Sequence, residues 1–171
     1  MVGGPADGPP RRAVRRRHVP AVDGGRPRGR AVRHLATGAD AAGVAPGRYQ
    51  ILAAINAVHT SARDVRDTDW SQVVALYDVL LRLTPSPVVE LNRAVAVAMR
   101  DGPAAGLDLI DRVAAAPELR DYHPLPAARA DLLARLGRPA EAAQAYRAAL
   151  ELVGNEPERI YLTRRLAALR T

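Results

Sequence analysis

Apolar residues recur along this chain at helical spacing from Tyr49 onward and hardly at all before it. Ile51, Leu52, Ile55 and Val58 form the first stripe and predict a helix from about Arg48 to Ala62. The polar run from Ser61 to Asp69 reads as a loop, with Thr68 or Asp69 placed to cap the next helix. Trp70, Val73, Val74, Tyr77, Leu80 and Leu81 form a second stripe, expected to be buried along a helix that ends at Leu83. Thr84 precedes Pro85 and is therefore biased out of the helical region. Ser86 as N-cap and Pro87 at the first helical position, where its missing N–H costs nothing, open a third helix to about Arg100. Asp101-Gly102-Pro103 stops that helix and starts a fourth, carrying Leu107, Ile110 and Val113 and ending near Ala116. After a loop from Glu118 to Pro124, further helices are expected over about Leu125 to Leu136, Pro139 to Val153 and Glu156 to Leu169.

The corners expose a period. With Trp70, Pro103 and Pro139 set equivalent, the offsets are 33 and 36 residues. Three columns then align: Val73, Gly106, Ala142; Tyr77, Ile110, Tyr146; and Leu80, Val113, Ala149. Each repeat thus places a small or modest residue, a large one four positions on and a medium one three later, which is one stripe of a helix. Ala94 and Ala130, also 36 apart, are small residues where two helices would approach closely. A helix-turn-helix period of about 34 residues is the mark of tetratricopeptide repeats. Gly106 and Ile110 depart from that pattern, so a generic Ala-rich helical bundle stays open as an alternative. The fold expected is all-α: a tetratricopeptide-like solenoid of antiparallel helix pairs, about seven helices over residues 48–171.

Charge separates the chain into two parts. Residues 1–48 hold ten Arg against Asp7, Asp23 and Asp40, which accounts for the whole net charge of +7, with nine Gly and six Pro. So little apolar surface does not offset the entropy of ordering, and residues 1–47 are expected to be a disordered Arg/Gly/Pro-rich segment. It reads as a basic arm contacting phosphates, as an unstructured leader, or as a mis-started or frame-shifted stretch of GC-rich coding sequence. No aromatic residue interleaves its arginines, as stacking on single strands would require. The remainder is neutral, with fifteen Arg and fifteen acids. Cys is absent, which removes disulfides and thiolate chemistry. No apolar run approaches the roughly 20 residues of a membrane span, so a cytoplasmic location is expected.

The second part also carries a family resemblance. RYQILAAINAVHTSA, TDWSQVVALYDVLLRLTPSPVVELNRAVAVA, DGPAAGLDLID, YHPLPAARADLLARLGRPAEAAQAYRAAL and ERIYLTRRLAAL together resemble the C-terminal tetratricopeptide-like extension of extracytoplasmic-function (ECF) RNA polymerase sigma factors. The resemblance covers about Gly47 to Leu169. It implies a regulatory, protein-interaction domain in transcription initiation, with RNA polymerase or the sigma regions as partner. DNA would be reached only indirectly, through promoter- and core-binding helices that cannot be placed on the first 48 residues. That departure implies a truncated or mis-started member, or a detached regulatory domain. A stand-alone tetratricopeptide scaffold binding another peptide or protein is the alternative. If the chain is a truncated member, genomic sequencing should find the missing helices encoded just upstream of Met1 in another frame, and an upstream region without them would count against truncation.

No pattern of catalytic chemistry stands out. His59 and His123 lack carboxylates at metal-site spacing. Asp64, Asp67 and Asp69 lack the ligand series, Gly and closing Glu of a calcium loop. Neither GxGxxG nor GxxxxGK occurs. No enzyme, metal, cofactor or small-molecule substrate is expected. In a solenoid the first helix of each pair lines the concave face, which nominates Asn56, His59, Asn92, Arg129, Asp131 and Arg135 as partner-binding candidates. Asn56 and Asn92 lead, because a buried amide without a partner is costly.

Overall fold

The computed structural model describes residues 47–62 and 64–169. The expectation of disorder over residues 1–47 therefore lies, Gly47 apart, outside them. The described chain is all-helical, with seven α-helices: α1 (Arg48–Ser61), α2 (Trp70–Leu83), α3 (Pro87–Asp101), α4 (Pro103–Val113), α5 (Pro124–Arg135), α6 (Pro139–Leu152) and α7 (Glu156–Ala168). Short 3-10 turns at Val65–Asp67 and Pro117–Leu119 complete it. Each helix packs mainly on its neighbours in the chain, and α3 also reaches α5 and the Pro117–Leu119 turn. That succession is solenoid-like. Among the described residues no helix is long and apolar enough to cross a membrane.

Local chemistry explains the boundaries. Proline occupies the first turn of α3, α4, α5, α6 and α7, where its fixed φ is already helical. Asp69 caps α2 by accepting the Gln72 N–H at 3.1 Å, and Asn155 caps α7 by accepting that of Glu158 at 3.0 Å. Ser86 stands at the expected N-cap, but its hydroxyl makes no cap bond. It starts α3 through its carbonyl instead, which accepts the Glu90 N–H at 2.9 Å. Gly102 and Gly137, at the corners after α3 and α5, adopt φ of 103° and 70°, a region that a side chain disfavours. The fourth helix stops at Val113 rather than near Ala116, because Ala116 is extended (φ −64°, ψ 129°) ahead of Pro117.

Two apolar clusters form the core, and α3 is the wall between them. Its Ala96 and Val97 pack with Ile51, Ile55 and Val58 of α1 and with Val73, Val74, Leu76 and Leu80 of α2. Its Leu91, Ala94 and Ala98 face the other way, toward Leu107, Ile110, Ala130, Leu133, Ala142, Tyr146 and Leu162. The repeat columns are mostly core: Val73, Ile110, Ala142, Tyr146 and Ala149 are fully buried, as are Ala94 and Ala130. Trp70, Tyr77 and Leu81 are only half-buried, which corrects the expectation that all of the α2 stripe is buried, and Val113 of α4 is half-buried as well. Leu76, outside that stripe, is buried in their place. The reason is geometric: α2 lies between α1 and α3 and must bury two faces, so a single stripe describes it incompletely.

The tightest point is where α4 crosses α3. A Cβ at Gly106 would lie 2.3 Å from the Ala98 Cβ and 2.9 Å from the Ala94 carbonyl oxygen. Helix propensity favours Gly106→Ala by about 1 kcal/mol, whereas forcing a methyl into a packed contact costs about 1–3 kcal/mol. With backbone in the way, the second effect wins. Gly106→Ala should lower the denaturant midpoint, Gly106→Val should lower it further, and Ala98→Gly in the same chain should recover part of the loss. A Gly106→Ala variant as stable as its parent would contradict the crossing.

Candidate interaction site

Polar side chains of this fold are arranged along the seams between helices. Asp78 of α2 accepts from Arg93 Nε of α3 at 2.6 Å. One repeat on, Asp111 of α4 accepts from Arg129 Nε of α5 at 2.8 Å. The acids are 33 residues apart and the arginines 36, so the two pairs are successive rungs of one ladder. Each rung joins the second helix of a pair to the first helix of the next. Half-exposed pairs of this kind contribute about 0.2–1 kcal/mol each, less than the apolar contacts beneath them.

The third rung is built differently. Register places Arg147 where Asp78 and Asp111 stand, and Arg165 where Arg93 and Arg129 stand. Two arginines cannot pair, and Arg165 turns instead to Asp131 on α5, with Nη2 at 2.7 Å and Nε at 3.1 Å from the same Oδ1. That oxygen also accepts the Tyr146 hydroxyl proton, and Arg165 Nε donates to the Tyr146 oxygen at 3.1 Å. Tyr146 is fully buried up to this polar tip. Burial pushes its phenol well above the ordinary value and the Asp131 bond adds to that, while Arg165 acts in the opposite direction. Further contacts hold the start of α7: Arg159 donates to the carbonyls of Leu150 at 3.2 Å and Val153 at 2.7 Å, satisfying acceptors at the end of α6. His123 Nε2 lies 2.9 Å from Glu158.

The six expected binding residues do not form one cluster. Asn56 and Asn92 are exposed, so the desolvation argument that singles them out does not apply. His59 is exposed and meets Trp70 edge-on, with ring centroids 5.3 Å apart, while the Trp70 indole donates to the Val65 carbonyl at 3.1 Å. On α5 the three candidates turn to three different neighbours: Arg129 to α4, Asp131 to α6 and α7, and Arg135 to the Met99 sulfur of α3 at 3.5 Å. They are chiefly seam residues. Asp78, Arg93, Asp111 and Arg165 escape a reading that aligns apolar columns alone, although aligning the polar columns at the same offsets would find them. A shallow groove of about 290 Å³ opens between α2 and α4 over α3, lined by Asp78, Leu81, Glu90, Arg93, Leu109, Arg112 and Val113. Among the described residues no group of His, Asp and Glu is arranged to hold a metal ion.

The raised Tyr146 value has a definite sign. A group that holds its proton more tightly when folded contributes stability in full below its unfolded value, about 10 for a phenol, and loses it as pH rises toward the folded value. Stability should therefore fall above about pH 10, and the fall should be shallower in Tyr146→Phe, read from denaturant midpoints across the alkaline range. Tyr77, raised by burial as well, leaves part of the slope in place. Asp131→Ala, which strips both Tyr146 and Arg165 of their acceptor, should cost about 1–2 kcal/mol after discounting for solvent. In hydrogen exchange it should expose α7 before α1 and α2, and uniform loss of protection would argue against the triad's role.

No protein-family profile matches this chain, and neither does any solved structure. Over 121 residues it is 44% identical to an uncharacterized protein of Rhizobium meliloti (strain 1021), an alignment that takes in 71% of this chain. The same alignment spans 28% of the Rhizobium protein, so the chain accounts for just over a quarter of that relative's length.

Proposed function

We propose that the helical part of this chain is a regulatory, protein-binding domain of the kind that extends ECF sigma factors at their C-terminus, acting in transcription initiation by contact with RNA polymerase or the sigma regions. The observation that carries this reading is the Rhizobium relative, in which a related 121-residue segment is 28% of a longer protein, as an extension attached to other regions would be. The all-helical, pairwise-stacked architecture and the family resemblance from Gly47 to Leu169 support it. Binding rather than catalysis is the mechanism. Stacked helix pairs present long side-chain-lined surfaces, and promoter contacts belong to regions outside this domain. The groove between α2 and α4, with apolar Leu81, Leu109 and Val113 beside Arg93 and Arg112, favours a second reading, a tetratricopeptide scaffold for a peptide. Capture of the tagged full chain from its host should recover RNA polymerase subunits or sigma regions reproducibly. Repeated captures without either would remove the sigma-factor reading, and a saturable peptide ligand sensitive to Leu109→Glu would favour the scaffold.

A further inference from the structure

The groove between α2 and α4 carries more than the ladder requires. Its Asp78–Arg93 pair, closed at 2.6 Å, is the first rung, and the seam one repeat on carries the corresponding Asp111–Arg129 pair. The other groove residues have no such counterparts. At the same offsets of 33 and 36 residues, Leu81, Glu90, Leu109 and Arg112 give way to Ala114, Pro126, Ala145 and Ala148. Two leucines and two opposite charges are therefore present here that the next seam does without. Neither charge has an ion partner. Among the described residues the Glu90 carboxylate makes no hydrogen bond or ion pair. Arg112 donates through Nε to the Asp108 carbonyl at 3.1 Å and, among the described residues, meets no carboxylate. Leu81, Leu109 and Val113 are half-buried, so each keeps apolar surface that a ligand would cover.

We propose that this groove binds a helix of a protein partner in which an aliphatic residue stands between a basic and an acidic one. The aliphatic side chain enters over Leu81, Leu109 and Val113, the base meets Glu90 and the acid meets Arg112. The inference rests on the reading of the groove as a peptide site and names the peptide. A volume of about 290 Å³ lies at the lower edge of the roughly 300–1,000 Å³ of small-molecule pockets, and suits an anchoring side chain of a larger partner. Backbone chemistry selects a helix. The walls and floor are themselves helices with internally bonded amides, so they offer no sheet edge to an extended peptide, whereas a helix satisfies its own backbone. Charge selects the flanking residues. With Asp78 and Arg93 taken up by each other, one acid and one base remain, a balance that neither an all-acidic nor an all-basic helix matches. Arg82, next to Leu81, and Asp108, one turn before Arg112, are exposed outside the lining, and being opposite in sign they leave that balance unchanged.

The test uses the full chain and four labelled helical peptides of about 15 residues with a central leucine. The residues one turn before and after that leucine are Lys and Glu, Glu and Lys, both Lys, or both Glu. Binding is read by fluorescence anisotropy at moderate salt, with circular dichroism melts of every variant compared with the parent. The proposal expects one mixed peptide to bind about fivefold or more tightly than either like-charged peptide. Glu90→Gln and Arg112→Gln should each weaken it by about two- to fivefold, and Leu109→Ser or Leu81→Ser by about tenfold. The double variant Glu90→Arg with Arg112→Glu should transfer the preference to the mixed peptide of opposite order. Saturable binding that needs Leu109 but ignores charge order would overturn the pairing and leave the groove a peptide site. No saturable binding by any of the four, or binding indifferent to both leucines, would remove the peptide-site reading together with it. Tightest binding by the all-Glu peptide, unchanged in the double variant, would overturn the proposal as well, by assigning the attraction to the Arg-rich first 48 residues.

Discussion

The close crossing of α3 and α4 is the constraint on which the rest of the structure depends. Gly106 has no Cβ, and one placed there would sit 2.3 Å from that of Ala98. The two backbones therefore meet nearly in contact, and α3 is held as a wall that serves both apolar clusters. Its Ala96 and Val97 complete the α1–α2 core while Leu91, Ala94 and Ala98 complete the other. Small residues do this because dispersion attraction falls steeply with separation. A chain with one Trp and no Phe gains its cohesion from proximity more than from large side chains.

Charge is organised on top of that packing. The seams from α2 to α3 and from α4 to α5 each carry an Asp–Arg rung, and the rungs follow the same offsets as the apolar stripe because both ride on the same helical geometry. Individually they are weak, being half exposed. Their effect is on register, since a helix slipped by one turn would leave the arginine opposite the wrong residue. Where the acid gives way to Arg147, Tyr146 and Asp131 supply the substitute, and the phenol of a core residue becomes an acceptor that helps keep Arg165 in position. The rearrangement at that point ties α7 to α5 and α6.

Stacked helix pairs supply surface rather than enclosed volume, which is why function in such a fold falls to exposed faces and grooves between helices. The α2/α4 groove and the α6/α7 end are different in kind. The first is balanced in charge, with Asp78 and Glu90 against Arg93 and Arg112. The second shows Ile160 and Tyr161 exposed on α7.

Much of this protein is legible in its sequence. The seven helices, the proline-started corners and the buried columns through Val73, Ile110, Ala142 and Tyr146 follow from local rules: proline and glycine restrict backbone angles within one or two residues, and a stripe repeats with the helix itself. Helix ends are readable to within a residue or two except at Val113, where the extended residue before Pro117 draws the chain out of the helix sooner. The binding candidates fare differently. The case for Asn56 and Asn92 rests on burial, and only packing decides which face of a helix meets solvent. Asp131 reads as a surface acid, yet the tertiary structure gives it Tyr146, 15 residues away, and Arg165, 34 away. Sequence determines what a helix carries and at what spacing; which neighbour each side chain meets is decided when the helices stack, because that depends on distances no local pattern encodes.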